Sequence, residues 1–274
     1  MTLQRLFPYH SDRRMILRLL RETLQAPRTF PSRVNPTNIG NWLRYRTHRF
    51  TCPVCGQDER PLYDFPDLDC RREHRIGILR ETLQCRHCFA SMRQRSLALG
   101  ILKHLARNGK APVHSIEDLA RQHLLGLAVL DSDNFSAISE RLRRCSTYVR
   151  SSYIPSRPWG QEIAPGYLNL DLQKLTLPDA LFDLVLTSDV MEHVRDSDAA
   201  HREIFRVLKP GGAYVFNVPY LEDAAHDIQL VDTTTDQDVF LCPPHYHGDP
   251  LSGGVLAYRV FGRDLVDKLR LNGF

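Results

Sequence analysis

From about residue 111 onward, short runs of Val, Leu, Ile and Phe alternate with segments whose apolar residues recur every three or four positions. "LAVLDSD", "STYVRSSY", "GYLNLDL", "FDLVLTSD" and "GGAYVFNVPY" read as strands, "FSAISERLRR" and "DAAHREIFRVLKP" as amphipathic helices. Strands rich in branched and aromatic residues, separated by helices, predict an α/β fold: a Rossmann-like, largely parallel sheet with helices on both faces. Upstream, Ser11 caps "DRRMILRLLRETLQ", where Met15, Ile16, Leu19, Leu20 and Leu24 predict a helix. The three prolines of "APRTFPSRVNPTN" predict an extended arm, and "SLALGILKHLA" a connecting helix.

These patterns divide the 274 residues into an N-terminal helix and proline-rich arm over 1–47, a small module with its connecting helix over 48–110, and the sheet domain over 111–274. Charge changes at the same place. Residues 1–110 carry 21 Lys and Arg against 9 Asp and Glu, whereas 111–274 carry 15 against 23. A basic first part fits either a solvated surface or a grip on RNA. With 42% apolar residues and no run near the ~20 needed to cross a bilayer, no membrane partner is expected. "MTLQRLFPYHSDRRM" lacks the apolar core of a secretory signal, so a cytoplasmic protein is expected. Nothing indicates an oligomeric state.

"FTCPVCG" and "LQCRHCFASMRQR" supply Cys52-x-x-Cys55 and Cys85-x-x-Cys88, separated by 29 residues. Paired knuckles of this kind close a tetrahedral four-thiolate zinc site, and such a closed site is structural. Disulfides are the lesser alternative for a chain with seven cysteines and no export signal. The excursion between the knuckles holds Cys70 and His74 as substitute ligands, and His87 reads as a surface or supporting histidine.

Parallel sheets bind ligands at the carboxyl ends of their strands. Asp131 closes the first strand with Ser132 and Asp133 behind it, Ser151 and Ser152 close the second, Asp171 follows the third, and Asp189 the fourth, ahead of Glu192 and His193. Several carboxylates on one rim suit a ligand with hydroxyl, amine or cationic groups. No glycine-rich loop follows the first strand, which argues against a phosphate ligand.

"NLDLQKLTLPDALFDLVLTSDVMEHVRDSDAAHREIFRVLKPGGAYVFNVP" resembles the core of class I S-adenosylmethionine-dependent methyltransferases, particularly those that modify small molecules. The resemblance runs over 50–274 and is firmest over 167–219. It implies that Asp171 and Leu172 meet the adenine. It places Asp131, Ser132, Asp133 and the following backbone at the methionine part and ribose, with Ser152 where relatives carry a ribose-binding carboxylate. Asp189, Val190 and Met191 line the floor of the methyl-donor pocket. His193 is the candidate base, with His245 and His247 of "PPHYHGD" as further candidates on a covering loop, and "KPGG" ends the helix. The implied function is methyl transfer from S-adenosylmethionine to a small-molecule or carbohydrate-like acceptor, with structural zinc. An RNA base methyltransferase, or a non-catalytic binding scaffold of the same fold, are the alternatives. Three departures bear on the choice: no glycine between Leu127 and Ser139, serines closing the second strand, and a chain that stops at "NGF" where the family's last two strands would begin, with "IQLVDTTTDQDVFL" as a candidate cover for the exposed fifth strand.

Overall fold

A computed structural model of the chain describes residues 36–63, 79–108, 113–122, 126–132, 136–145, 147–247 and 254–274. The expected helix after Ser11, Cys70, His74 and Asp133 lie outside the described residues. The chain divides into two compact units, one of residues up to 102 with 112–118, the other of 103–111 with 119–274.

Among the described residues the first unit begins with helix α1, Pro36–Tyr45. Its start corrects the reading of "APRTFPSRVNPTN" as arm throughout: Pro36 is the first helical residue, where a missing N–H is lost to no bond. Tyr63 Oη donates to Asn38 Oδ1 at 2.9 Å, both residues buried, and so ties α1 to the next elements. Strand β1 (Phe50–Thr51) pairs antiparallel with β2 (Asp58–Glu59), and β3 (Pro61–Tyr63) with β4 (Leu83–Cys85). Helix α2 (Leu79–Thr82) precedes β4, and α3 (Met92–Arg107) and α4 (Ile116–Gln122) follow it. The expected connecting helix is thus present in α3, beginning four residues earlier than "SLALGILKHLA".

The second unit is built on a six-stranded sheet containing β5 (Ala128–Asp131), β6 (Thr147–Ser152), β7 (Glu162–Ala164), β8 (Tyr167–Asn169), β9 (Phe182–Ser188) and β10 (Leu208–Asn217), in the order β10-β9-β5-β6-β8-β7. All pairs are parallel except β7 with β8. The Rossmann-like α/β reading therefore holds, with one difference. A loop and the antiparallel β7, rather than a helix, link β6 to β8. Short helix α5 (Ser139–Leu142) links β5 to β6, and α6 (Ser197–Val207) lies between β9 and β10. Asp196 caps α6 by accepting from Ala199 N at 2.9 Å. Ala200, Ile204 and Val207, at helical spacing, join Leu130, Phe182 and Val185 in the core.

The recognisable motifs at the amino edge of this sheet are structural. Asp183 Oδ2, of "FDLV", accepts from Ala128 N and from Lys209 Nζ of "LKPGG", both at 2.8 Å. The helix ends at Val207, before the "KPGG" that was expected to end it. The two glycines instead lie where the pairing of β10 with β9 shifts register between Leu208 and Ala213. Gly211 takes φ +77°, and a Cβ on Gly212 would sit 3.0 Å from Lys209 O and 3.1 Å from Asp183 O. Arg206 donates to the Leu175 and Leu177 carbonyls at 3.0 and 2.8 Å, while Glu203 accepts from Leu175 N at 2.8 Å, clamping the loop after β8.

Residues after β10 form two-residue ribbons. β11 (Ile228–Gln229) pairs with β16 (Arg259–Val260), β12 (Val231–Asp232) with β13 (Val239–Phe240), and β14 (Tyr246–His247) with β15 (Val255–Leu256). "IQLVDTTTDQDVFL" thus pairs within this insertion and not with β10. Among the described residues β10 pairs only with β9. Helix α7 (Leu265–Leu271) packs on α6, and Phe274 meets Phe205 edge-on and Tyr214 at a tilt.

Candidate functional site

The parallel register brings the carboxyl ends of five strands to one rim. Asp131 lies opposite Arg150 and Leu186, Ser152 opposite Asn169, and Ser188 opposite Asn217. Strand order reverses between β5 and β9, the switch point where such sheets open a crevice. Asp131 and Ser132 flank it on one side, Ser188 and Asp189 on the other.

The predicted donor-site residues reach this rim in different states. Asp131 is buried, and its Oδ2 accepts from Ser139 Oγ and Tyr148 Oη, both at 2.7 Å, so it braces α5 and β6. Ser132 N donates to Leu186 O at 3.0 Å, and its hydroxyl shares a 2.7 Å bond with Ser151 Oγ. Ser152 Oγ bonds Tyr167 Oη. Asp171 accepts from Gln173 N at 2.9 Å and Gln173 Nε2 at 3.0 Å through Oδ1, which leaves Oδ2 as the acceptor for a ligand amine or hydroxyl. Leu172 is buried in the core, with Met191 beneath the rim and Val190 packed partly against it. Asp189 holds φ +51°, a left-handed conformation rare outside glycine that Asp and Asn tolerate best, and its N–H donates to Asn217 O at 3.0 Å.

His193 sits in the single 3₁₀ turn Met191–His193 that follows β9, with its side chain 13% exposed. Its Nδ1 lies 2.8 Å from the carbonyl of Leu256. A carbonyl only accepts, so Nδ1 carries the proton. Burial pushes the imidazole below its ordinary value, against the Leu256 carbonyl and the Asp189 carboxylate, which pull it up. The segment 256–259 is fastened along its length. Ala257 N donates to His245 O at 2.8 Å, Tyr258 N to Glu192 O at 2.8 Å, and Arg259 to Ser197 Oγ and, at 2.6 Å, to Arg195 O. The loop of His245 and His247 is therefore tied through this strap to His193. His245 itself is exposed.

An aromatic pair at the rim carries no motif in the sequence. Tyr153 and Trp159 stack with ring centroids 5.2 Å apart and an angle of 26° between planes, and Tyr153 stays 60% exposed. Buried Asn169, the last residue of β8, holds the loop that carries them. It accepts from Ile154 N at 2.8 Å and donates to the carbonyls of Ile154, Arg157 and Pro158 at 3.0, 3.0 and 3.2 Å. Burial, then the Asp171 charge, raises the Tyr153 phenol. The available signal was an Asn closing an apolar strand, a residue that a core position admits only with its bonds made.

In the first unit the four knuckle cysteines converge, with all four sulfurs within 4.8 Å of one another. Cys52 Sγ lies 3.8 Å from Cys88 Sγ, and Cys55 Sγ 3.7 Å from Cys85 Sγ. Sulfurs at ~2.3 Å from a central ion would stand about 3.8 Å apart on a tetrahedron. The two knuckles repeat one backbone design. Cys52 N donates to Gln57 O and Gly56 N to Cys52 O, while Cys85 N donates to Ala90 O and Phe89 N to Cys85 O. The residue after each second cysteine is left-handed, Gly56 at φ +76° and Phe89 at +58°. Burial, with the neighbouring sulfurs, pushes the Cys55 thiol up to about 11, whereas hydrogen bonds from Cys52 and Cys88 pull Cys85 down toward its thiolate. Buried Arg95, lying over the Phe50 ring at 4.2 Å and bonded to Leu83 O, adds positive charge beside them. His87 is half exposed and pairs with Glu59 at 2.6 Å, a surface position as expected.

Residues 145–216 match a family model described as a methyltransferase domain. This stretch holds β6, β8, β9, α6 and most of β10, and with them Asp171, Asp189 and His193. A ubiquinone/menaquinone biosynthesis C-methyltransferase of Vibrio parahaemolyticus is 41% identical over 59 residues, 20% of this chain and 23% of that protein. A malonyl-[acyl-carrier protein] O-methyltransferase of Serratia marcescens is 30% identical over 113 residues, covering 40% and 41%. An arsenite methyltransferase of Aquipseudomonas alcaligenes is 30% identical over 109 residues, covering 40% and 27%. The chain spans less than half the length of these curated relatives. Among solved structures, an S-adenosylmethionine-dependent methyltransferase from Mesorhizobium loti aligns at 20% identity with a TM-score of 0.36, covering 58% of this chain and 81% of that one. The resemblance to methyltransferases is borne out by the family match over residues 145–216.

Proposed function

We propose that this chain transfers a methyl group from S-adenosylmethionine to a small-molecule or carbohydrate-like acceptor, and that Cys52, Cys55, Cys85 and Cys88 hold a structural zinc ion. The observation that supports it most is the methyltransferase-domain match over 145–216, whose residues set Asp171 and Asp189 at the carboxyl ends of β8 and β9. When bound, S-adenosylmethionine supplies a methyl group already activated by positive sulfur. A rim of carboxylates suits its ammonium and ribose hydroxyls, and the protein's own tasks are alignment and exclusion of water. Asp171 would hold the adenosine end through Oδ2, the Ser132 and Asp189 backbone the methionine end, and the strap over 256–259 would shield the reacting centre.

A second reading, a non-catalytic binding scaffold, draws on the internal bonds of Asp131, Ser151 and Ser152, which direct polar groups of the first two strand ends into the fold. Calorimetry separates the two. Zinc-loaded protein should give saturable heat with S-adenosylmethionine, and Asp171→Ala should weaken it at least about tenfold, roughly 1.4 kcal/mol. No saturable heat up to millimolar donor would sink the transferase reading.

A further inference from the structure

Tyr153 and Trp159 are stacked on each other and yet left in water, 60% and 36% exposed. Aromatic rings each bury about 150–250 Å² when covered, so a fixed, uncovered pair is the feature of this rim that packing does not account for. The loop that carries them is held in place from below. Besides the bonds to the Asn169 side chain, Gly160 N donates to Asn169 O and Asn169 N to Gln161 O, both at 2.8 Å. Gly160 takes φ +79°, and a Cβ there would stand 2.7 Å from Thr176 Oγ1, so the turn beside Trp159 admits glycine alone. Rings held this firmly lose little freedom when a ligand settles on them.

The surroundings of the pair select the ligand. Asp171 lies close enough for its charge to raise the Tyr153 phenol, a setting that repels phosphate and suits hydroxyls. The strap borders the same side. Tyr258, whose Oη donates to Asp238 Oδ2 at 3.2 Å and whose N–H holds Glu192 O, stands within electrostatic reach of Tyr153. An aromatic face is negative, and the C–H groups on one face of a pyranose are slightly positive, so the two attract across a flat contact. Phenol and indole N–H groups at the edge then meet ring hydroxyls.

We propose that the outer face of the Tyr153–Trp159 pair is the acceptor subsite and that it takes a pyranose ring, free or within a larger glycoside. This rests on the methyltransferase reading above and narrows its acceptor to a sugar. Trp42 and Trp159 are the chain's two tryptophans, so Trp42→Phe leaves Trp159 as the reporter. The full zinc-loaded chain with that change, saturated with S-adenosylhomocysteine, is titrated with methyl glycosides of hexoses, deoxyhexoses and N-acetylhexosamines. At least one should shift Trp159 emission saturably, and saturation-transfer NMR should place the strongest contact on the C–H groups of one sugar face. Tyr153→Ala should weaken that glycoside roughly tenfold. By saturation transfer, Trp159→Phe should keep most of the binding and Trp159→Ala should not, while S-adenosylmethionine binds all three variants unchanged by calorimetry. No response to any glycoside would overturn the proposal. A shift with S-adenosylhomocysteine alone, to which no glycoside adds, would assign the pair to the donor and overturn it while the transferase reading stands. Glycoside binding by protein that gives no heat with S-adenosylmethionine would leave a sugar site but overturn its role as acceptor subsite.

Discussion

At the scale of single residues, this chain places polar groups where burial makes each of them costly, and the sign of the cost differs between them. Asn169 meets its demands in full, with four bonds to the loop that carries Tyr153 and Trp159. Asn169→Ala would strand buried backbone groups, so a loss of about 2–4 kcal/mol is expected in denaturant unfolding. Faster proteolysis of 153–161 should accompany it. His201 is the opposite case. It is 1% exposed, its two ring nitrogens have no hydrogen-bond partner, and it packs against the rings of Tyr214 and Phe216. Burial pushes its imidazole down to about 4, with Arg259 and Arg202 adding to the effect and Asp198 and Asp196 opposing it. The unfolded ring takes its proton near 6.5 and the folded ring only near 4, so stability falls as pH drops through that window. Roughly 2 kcal/mol should be lost between pH 7 and pH 5 on this account. His201→Phe should flatten the dependence, as urea titrations at the two pH values would show; an unchanged slope would sink the assignment.

At the scale of elements, legibility followed period. β5, β6, β8, β9, β10 and α6 were readable because each sets several apolar residues in one repeat. Helix α1 was misread although its start carried a signal, since Pro36 looks the same as the first residue of a helix and as a breaker between segments. The ribbons over 228–260 were not readable, because two-residue strands have no period and their pairing depends on partners from 7 to 32 residues away. The site divided in the same way. Asp171, Asp189 and His193 could be placed at or just past strand ends because those ends can be counted from the pattern. The internal bonds of Asp131, the stacked Tyr153–Trp159 pair and the strap that orients His193 are products of packing. The strap yields a prediction of its own. Arg259 is buried and fastens β16 to Ser197, the first residue of α6, and to the Arg195 carbonyl just before the helix. Arg259→Met keeps apolar volume but removes both bonds, and should release Leu256 from His193. A nitrogen-15 spectrum of histidine-labelled protein would then show His193 exchanging between tautomers, while binding of S-adenosylmethionine through Asp171 persists.

At the scale of the whole molecule, each unit obtains its stability by a different means. The second has a sheet and a continuous apolar core running from Ala128 to Leu265. The first, among its described residues, has two-stranded ribbons of two or three residues, the ten-residue α1 and most of the sixteen-residue α3, with the four cysteines closing between its ribbons. Its four sulfurs stand at tetrahedral separations, and its two knuckles hold a matched backbone with a phenylalanine in a left-handed position, a conformation that survives only where its surroundings impose it. Ligation of the proposed zinc ion would impose it, and in modules of this size metal binding contributes about 10 kcal/mol or more to folding. Elemental analysis should therefore find about one zinc per chain. Cys85→Ser should lose it, and so should wild-type protein treated with a strong chelator. Limited proteolysis read by mass spectrometry should then show new cleavage within 36–63 and 79–102, reversed by added zinc in the wild type but not in Cys85→Ser. Full protection of those residues in metal-free protein would mean that the knuckles hold themselves together without an ion.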